Sequence, residues 1–181
     1  MGLTVILVVL GIVVIVVIVL LLLSTRNELI RQRNELGRAL LSLDQLLKER
    51  RDELPKLLGT CRSYLRDGSR LFEPITAARA AEQKATQPPE KARAANDLGQ
   101  ALRNLFGAGD RDAALASDAS YRQLKKSILA LDERIGTEQA RFNQQASAFN
   151  ARLGRIPGSL VASMAGVRPQ ALFSAEDAAG K

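Results

Sequence analysis

Histidine and tryptophan are absent from this chain, and Cys61 is its only cysteine. No intramolecular disulfide can form. Neither a His-Cys zinc site nor a Ser-His or Cys-His catalytic couple can be assembled from the residues present. Aromatic residues make up only 4% of the 181 residues, too few to line a base-stacking surface or to fill an aromatic-rich β-sheet core. With sheet formers scarce beyond the first segment and Leu, Ala, Arg, Glu and Gln abundant, the expected class is all-α.

What is present begins with charge. The formal net charge is +7, which favours an acidic partner surface, either anionic lipid or nucleic acid. The cations are spread along the chain and interleave with few aromatics, so nucleic acid is not expected as a partner. Residues 3–23 read LTVILVVLGIVVIVVIVLLLL without one charge. As a helix rising about 1.5 Å per residue, such a run covers the roughly 30 Å of bilayer hydrocarbon. A cleavable leader would need a basic start, a shorter apolar stretch and a small-residue cleavage site, and a myristoylation signal would need Ser or Thr where Ile6 stands. The expected organisation is an anchor at 1–25, a helical domain at 26–166 and a tail at 167–181, with disorder toward the chain end. Arg26, Arg31, Arg33 and Arg38 follow the apolar run and no basic residue precedes it. The positive-inside rule then puts the N-terminus out and the domain in the cytoplasm, with the anchor in the inner (cytoplasmic) membrane.

Beyond the anchor, a heptad governs residues 27–65. Leu29, Leu36, Leu43, Leu57 and Tyr64 occupy one seam position, and Leu40, Leu47, Leu54 and Cys61 the other. This spacing predicts a long helix packed against partners in coiled-coil fashion, with Cys61 as a core side chain rather than a reactive thiol. No glycine or proline separates Leu23 from Asn27, so the anchor is expected to run into this helix without a break. Arg50 stands where the seam calls for an apolar residue, and Pro55 should kink the helix nearby. If Arg50 merely satisfies a buried carboxylate, Arg50→Leu should leave the fold intact or firmer. A turn is expected at Asp67-Gly68, a short helix over 75–86, a break at Pro88-Pro89 and a helix over 90–106. The last long helix should cover 120–155, with a stripe of Tyr121, Leu124, Ile128, Leu131, Ile135, Phe142 and Phe149. After Pro157-Gly158, a short apolar turn at 160–164 is expected to dock back. The architecture these elements predict is an N-terminal transmembrane helix continuing into an elongated antiparallel four-helix bundle.

No constellation here carries obvious chemistry. Gly107-Ala108-Gly109-Asp110 follows a helix instead of a strand and lacks the Gly-Lys-Ser/Thr ending of a phosphate loop, which makes it a helix stop. Asp44, Glu49, Asp52 and Glu53 on the first long helix, with Asp132, Glu133 and Glu138 on the last, could suggest a dimetal bundle. That site needs Glu-x-x-His pairs, and interleaved Lys and Arg favour an ion-paired face. The expected site list is therefore short: no catalytic, cofactor-binding or metal-binding residue, and lipid contact at Arg26, Arg31, Arg33 and Arg38, joined by Arg152 and Arg155 if the last helix returns to the bilayer.

The stretch Arg33-Asn34-Glu35-Leu36 and the run from Leu43-Asp44-Gln45-Leu46-Leu47-Lys48-Glu49-Arg50 through Arg51-Asp52-Glu53-Leu54-Pro55 resemble the first-helix signature of the LemA family of bacterial membrane-anchored helical proteins. So do Ala77-Ala78-Arg79-Ala80, the pairs Phe142-Asn143 and Phe149-Asn150 where the family has Tyr-Asn, and Ile156-Pro157-Gly158. Leu40 in place of Trp, Asp67-Gly68 in place of His-Glu and a degenerate segment at 111–117 depart from the family pattern. The resemblance implies an antiparallel four-helix bundle beside an N-terminal anchor, with no established reaction.

The function expected from these readings is a non-enzymatic membrane scaffold without cofactors, assembling with itself as a homo-oligomer or with an envelope protein. The alternative is a membrane-shaping or anionic-lipid-organising protein acting through self-assembly and its basic collar.

Overall fold

The computed structural model describes residues 2–65 and 69–174, and among them every regular element is a helix. In chain order these are α1 (Gly2–Arg62), α2 (Ser69–Lys84), α3 (Pro88–Gly109), α4 (Ala113–Ser117), α5 (Ala119–Leu153) and α6 (Gly158–Ala165). The turn expected at Asp67-Gly68 and the disorder expected toward the chain end lie outside the described residues. Two compact units are formed, one by Met1–Arg38 with Gln144–Gln170, the other by Ala39–Asn143 with Ala171–Lys181.

Each helix boundary has a local cause. The anchor and the heptad stretch are one helix, because nothing between Leu23 and Asn27 interrupts the backbone ladder. Pro55 lies inside α1 on its exposed side, and the helix continues through it. Pro74 likewise sits inside α2, which begins six residues earlier than the expected 75. Pro88 and Pro89 separate α2 from α3 as expected, but they do so as the first residues of α3, where a missing N–H costs nothing. The Glu90 carboxylate accepts from the backbone N–H groups of Thr86 (3.0 Å) and Gln87 (3.2 Å), closing that start. The degenerate stretch at 111–117 holds a helix that no apolar period announced. Asp112 makes α4 by accepting from the N–H groups of Ala114 and Leu115 at 3.0 and 2.9 Å. Asp118 opens α5, accepting from Tyr121 N–H at 2.8 Å and from the Tyr64 hydroxyl at 3.0 Å.

In the second unit, the seam of α1 supplies Leu54, Leu57 and Cys61 to a core completed by Ile75 of α2, Leu98, Leu102 and Leu105 of α3, Leu115 of α4 and Tyr121 and Ile128 of α5. Gly109 is required by this packing. A Cβ there would stand 2.5 Å from the Tyr121 hydroxyl oxygen, which itself donates toward Asp110 and the Phe106 carbonyl. In the first unit, Leu29 and Leu36 of α1 and Phe149 and Leu153 of α5 are buried. The side chains of residues 6–23 behave differently: their large apolar groups are 47–64% exposed, apart from half-buried Leu22. One helix at the N-terminus is thus long and apolar enough to cross a membrane.

Candidate functional site

The only arginine in the heptad seam becomes the polar centre of the second unit. Arg50 and Glu82 are 3% and 2% exposed. The Arg50 guanidinium donates to Glu82 Oε1 of α2 at 2.7 Å, to Asp132 Oδ1 of α5 at 2.5 Å and, weakly, to the Ala95 carbonyl of α3 at 3.5 Å. Arg51 adds a second donor to Glu82 at 3.3 Å. One side chain from α1 therefore meets α2, α3 and α5 at one point. Beside it lies a polar pocket of about 260 Å³ lined by Arg50, Asn96, Arg103, Asp132 and Gln139. A guanidinium held between two carboxylates has donors to offer and no acceptor, so it orders its partners rather than acting as a base or nucleophile. Its geometry is that of a tie between helices. Asp132, read from sequence as part of a solvated, ion-paired face, is ion-paired, and its partner is the buried Arg50 of α1.

A second polar tie in the same unit joins α1 to α3, where Lys91 Nζ donates to both oxygens of Asp44 at 2.6 and 2.8 Å. Lys125 holds Asp110 at 2.6 and 2.7 Å, and this ammonium keeps the Asp110 carboxyl below its ordinary pKa. Cys61 is buried, and the loss of water around it, helped by the negative charge of Asp118, pushes its thiol up to about 11. It is a core residue with little thiolate at neutral pH.

In the first unit, interest centres on the end of the apolar run. Ser24 and Thr25 turn their hydroxyls back onto the Leu21 carbonyl at 2.9 and 2.8 Å, so the run ends without unsatisfied hydroxyls. Of the four arginines expected to contact lipid, all are exposed. Arg31 is engaged with Glu28 (2.7 Å) and Glu35 (3.1 Å), and those carboxylates raise its pKa above the ordinary arginine value. Arg26 lines a groove of about 350 Å³ with Leu22 and Leu23 of α1 and Val161, Met164 and Ala165 of α6. Arg152 does reach this level of α1, where it donates to Glu28 at 3.0 Å. Together with Arg155 it lines a larger groove, about 480 Å³, that also takes in Ser24, Thr25, Glu28 and Leu29.

The short apolar turn expected at 160–164 is the helix α6. It can follow α5 so closely because residue 158 is glycine: a Cβ there would overlap the Arg152 carbonyl oxygen. Gly166 ends it in the left-handed conformation at φ 63°, with its N–H returned to the Ala162 carbonyl.

Sequence reading missed what the two Phe-Asn pairs do. Asn143 and Asn150 each use both halves of the side-chain amide on one backbone position of the C-terminal segment. Asn143 accepts from Phe173 N–H at 2.6 Å and donates to the Phe173 carbonyl at 3.1 Å. Asn150 accepts from Gln170 N–H and donates to the Gln170 carbonyl, both at 2.8 Å. Phe173 is buried, with its ring edge-on to Phe142 at 6.5 Å between centroids. The part of the expected tail at 167–174 is thus held in place. The available signal was the seven-residue repeat of Asn beside a core aromatic, which identifies two equivalent polar positions but not their partner.

No curated protein matches this chain significantly. The model of the LemA family matches residues 39–181, a region that includes the Arg50 tie, both Phe-Asn pairs and α6. With the sequence motifs and the all-helical fold in accord over most of its length, the chain belongs to the LemA family.

Proposed function

We propose that the chain is a non-enzymatic, membrane-anchored helical scaffold. Residues 3–23 cross the cytoplasmic membrane with the N-terminus outside, and the helices beyond them form an antiparallel four-helix bundle in the cytoplasm. The bundle assembles with further copies of itself or with envelope proteins. The observation that carries this reading is the use made of the buried cation of the second unit: Arg50 joins α1, α2, α3 and α5. A continuous α1 that carries both the apolar run and the core seam supports the same reading. The test is the mass of the full-length protein in mild detergent, by native mass spectrometry or light scattering. A discrete assembly of several copies supports self-assembly. Monomers would reject it and leave the adaptor form, to be tested by crosslinking in native membranes.

A second reading, in which the protein organises anionic lipid, is favoured by the exposure of Arg26, Arg31, Arg33 and Arg38 after the apolar run. Each cation near an anionic surface gains on the order of 1 kcal/mol. Full-length protein reconstituted with fluorescent phosphatidylglycerol should gather that lipid around itself. Replacing the four arginines with Gln should weaken the enrichment; an unchanged signal counts against this reading.

A further inference from the structure

Three large apolar side chains in the segment after α5 have no cover. Ile156 is 81% exposed, Leu160 55% and Met164 86%. Outside the N-terminal apolar run, the other exposed large hydrophobics among the described residues are the scattered Ile30, Leu41 and Leu129. A concentration within nine residues needs a reason, since isolated ones are ordinary on any surface. Val161 and Ala162, on the other side of α6, are buried. The helix is therefore docked by one face and presents the other.

Its position supplies the occupant. Val161, Met164 and Ala165 share a groove with Leu22, Leu23 and Arg26, the last residues of the apolar run and the first cation after it. Eight helical residues cover about 12 Å, well short of the roughly 30 Å needed to span a bilayer. Arg155 before α6 and Arg168 after it are exposed, the arrangement of a short interfacial helix whose cations stay at headgroup level. A second copy of the chain would need about 800 Å² per partner for a stable contact, more than three side chains provide.

We propose that α6 is a second membrane-contacting element, lying in the interface beside the anchor with Ile156, Leu160 and Met164 in the acyl-chain boundary of the same leaflet. This rests on the reading that residues 3–23 cross the bilayer. It makes attachment two-point: the anchor holds the chain in the membrane, and α6 fixes the rotation of α1 about its axis.

The chain has no tryptophan, so single-tryptophan variants report position without background. Full-length Leu160→Trp and Met164→Trp would be reconstituted into phosphatidylcholine vesicles with and without brominated acyl chains, beside Ile18→Trp within the anchor and Lys48→Trp at an exposed position of α1 well beyond it. The expected result is blue-shifted emission and loss of most of the intensity in brominated lipid at positions 18, 160 and 164, with no loss at 48. Quenching at 18 with water-like, unquenched emission at 160 and 164 overturns the proposal and leaves the anchor standing. Blue-shifted but unquenched emission at 160 and 164 also overturns it, in favour of burial against protein. Absence of quenching at 18 rejects the anchor reading and the proposal with it.

Discussion

Arg50 is worth most where it costs most. Its guanidinium and the Glu82 carboxylate are both out of water, and a buried pair of this kind repays its desolvation only while both members remain. Arg50→Leu strands Glu82 with only the 3.3 Å contact to Arg51 and should lower stability by about 3–5 kcal/mol in urea unfolding. Leucine is tolerated there only if no uncompensated charge is left behind, and the Glu82 carboxylate is buried and sits on another helix. The double change Arg50→Leu with Glu82→Leu should recover most of the loss, and a double mutant no better than the single would show that the pair contributes beyond mutual neutralisation. Cys61 offers a second test. With its thiol pushed up to about 11, only about one molecule in a thousand carries the thiolate at pH 8, so native protein should resist a disulfide exchange reagent that reacts at once in urea. Because the folded-state pKa is raised, the associated stability is fully present below the unfolded thiol's pKa and is lost as pH climbs through about 11. The stability difference between wild type and Cys61→Ala should therefore be constant below about pH 8 and change above it, as wild type loses stability that the variant, having no thiol, keeps.

At the scale of elements, the two asparagines on α5 do for the C-terminal segment what a neighbouring strand would do: one side-chain amide replaces one backbone pairing. Removing the side chain leaves a backbone N–H and C=O without their protein partners. Asn143→Ala should abolish hydrogen-exchange protection at Phe173, and Asn150→Ala at Gln170, each local opening costing about 1–3 kcal/mol less than in wild type. Loss of protection at both positions from either single change would mean that the segment opens as one unit. The short helix α4 teaches the complementary point. Five residues have no room for an amphipathic period, and their helix exists because the Asp112 carboxylate caps it and Leu115 is buried beneath it. Periodicity could not reveal such an element, whereas Asp112 three residues before Leu115 is a capping signal visible only when one looks for it.

For the whole molecule, the orientation proposed from the charges that follow residues 3–23 has a direct test. With Arg26, Arg31, Arg33 and Arg38 following the run, external protease added to intact spheroplasts should leave the chain beyond Arg26 whole, and permeabilisation should expose it. Digestion in sealed cells would reverse the topology and move the helices beyond the run to the outer face. The acid side of stability belongs here too. Asp118 is held below the ordinary aspartate pKa by the Tyr121 N–H first and the Tyr64 hydroxyl next, while Lys125 does the same to Asp110. Lowered folded-state values mean that this stability is present above the ordinary aspartate range and fades as pH falls through the lowered ones. Asp118→Asn should flatten the acid limb of the unfolding curve relative to wild type.

Composition and period alone determined the helical class, the apolar run at 3–23, the seam of α1 and the stripe of α5, because each depends on residue type at a fixed spacing along one helix. The absence of histidine restricted the chemistry in the same way, as no fold can supply a missing side chain. Only the tertiary structure decided where Arg50 finds its carboxylates, that Asn143 and Asn150 grip the returning chain, and that α6 shares a groove with Leu22 and Leu23. Those facts join residues 20 to 143 positions apart. No local pattern encodes such a pairing; it arises when packed helices bring distant side chains within hydrogen-bonding or van der Waals reach.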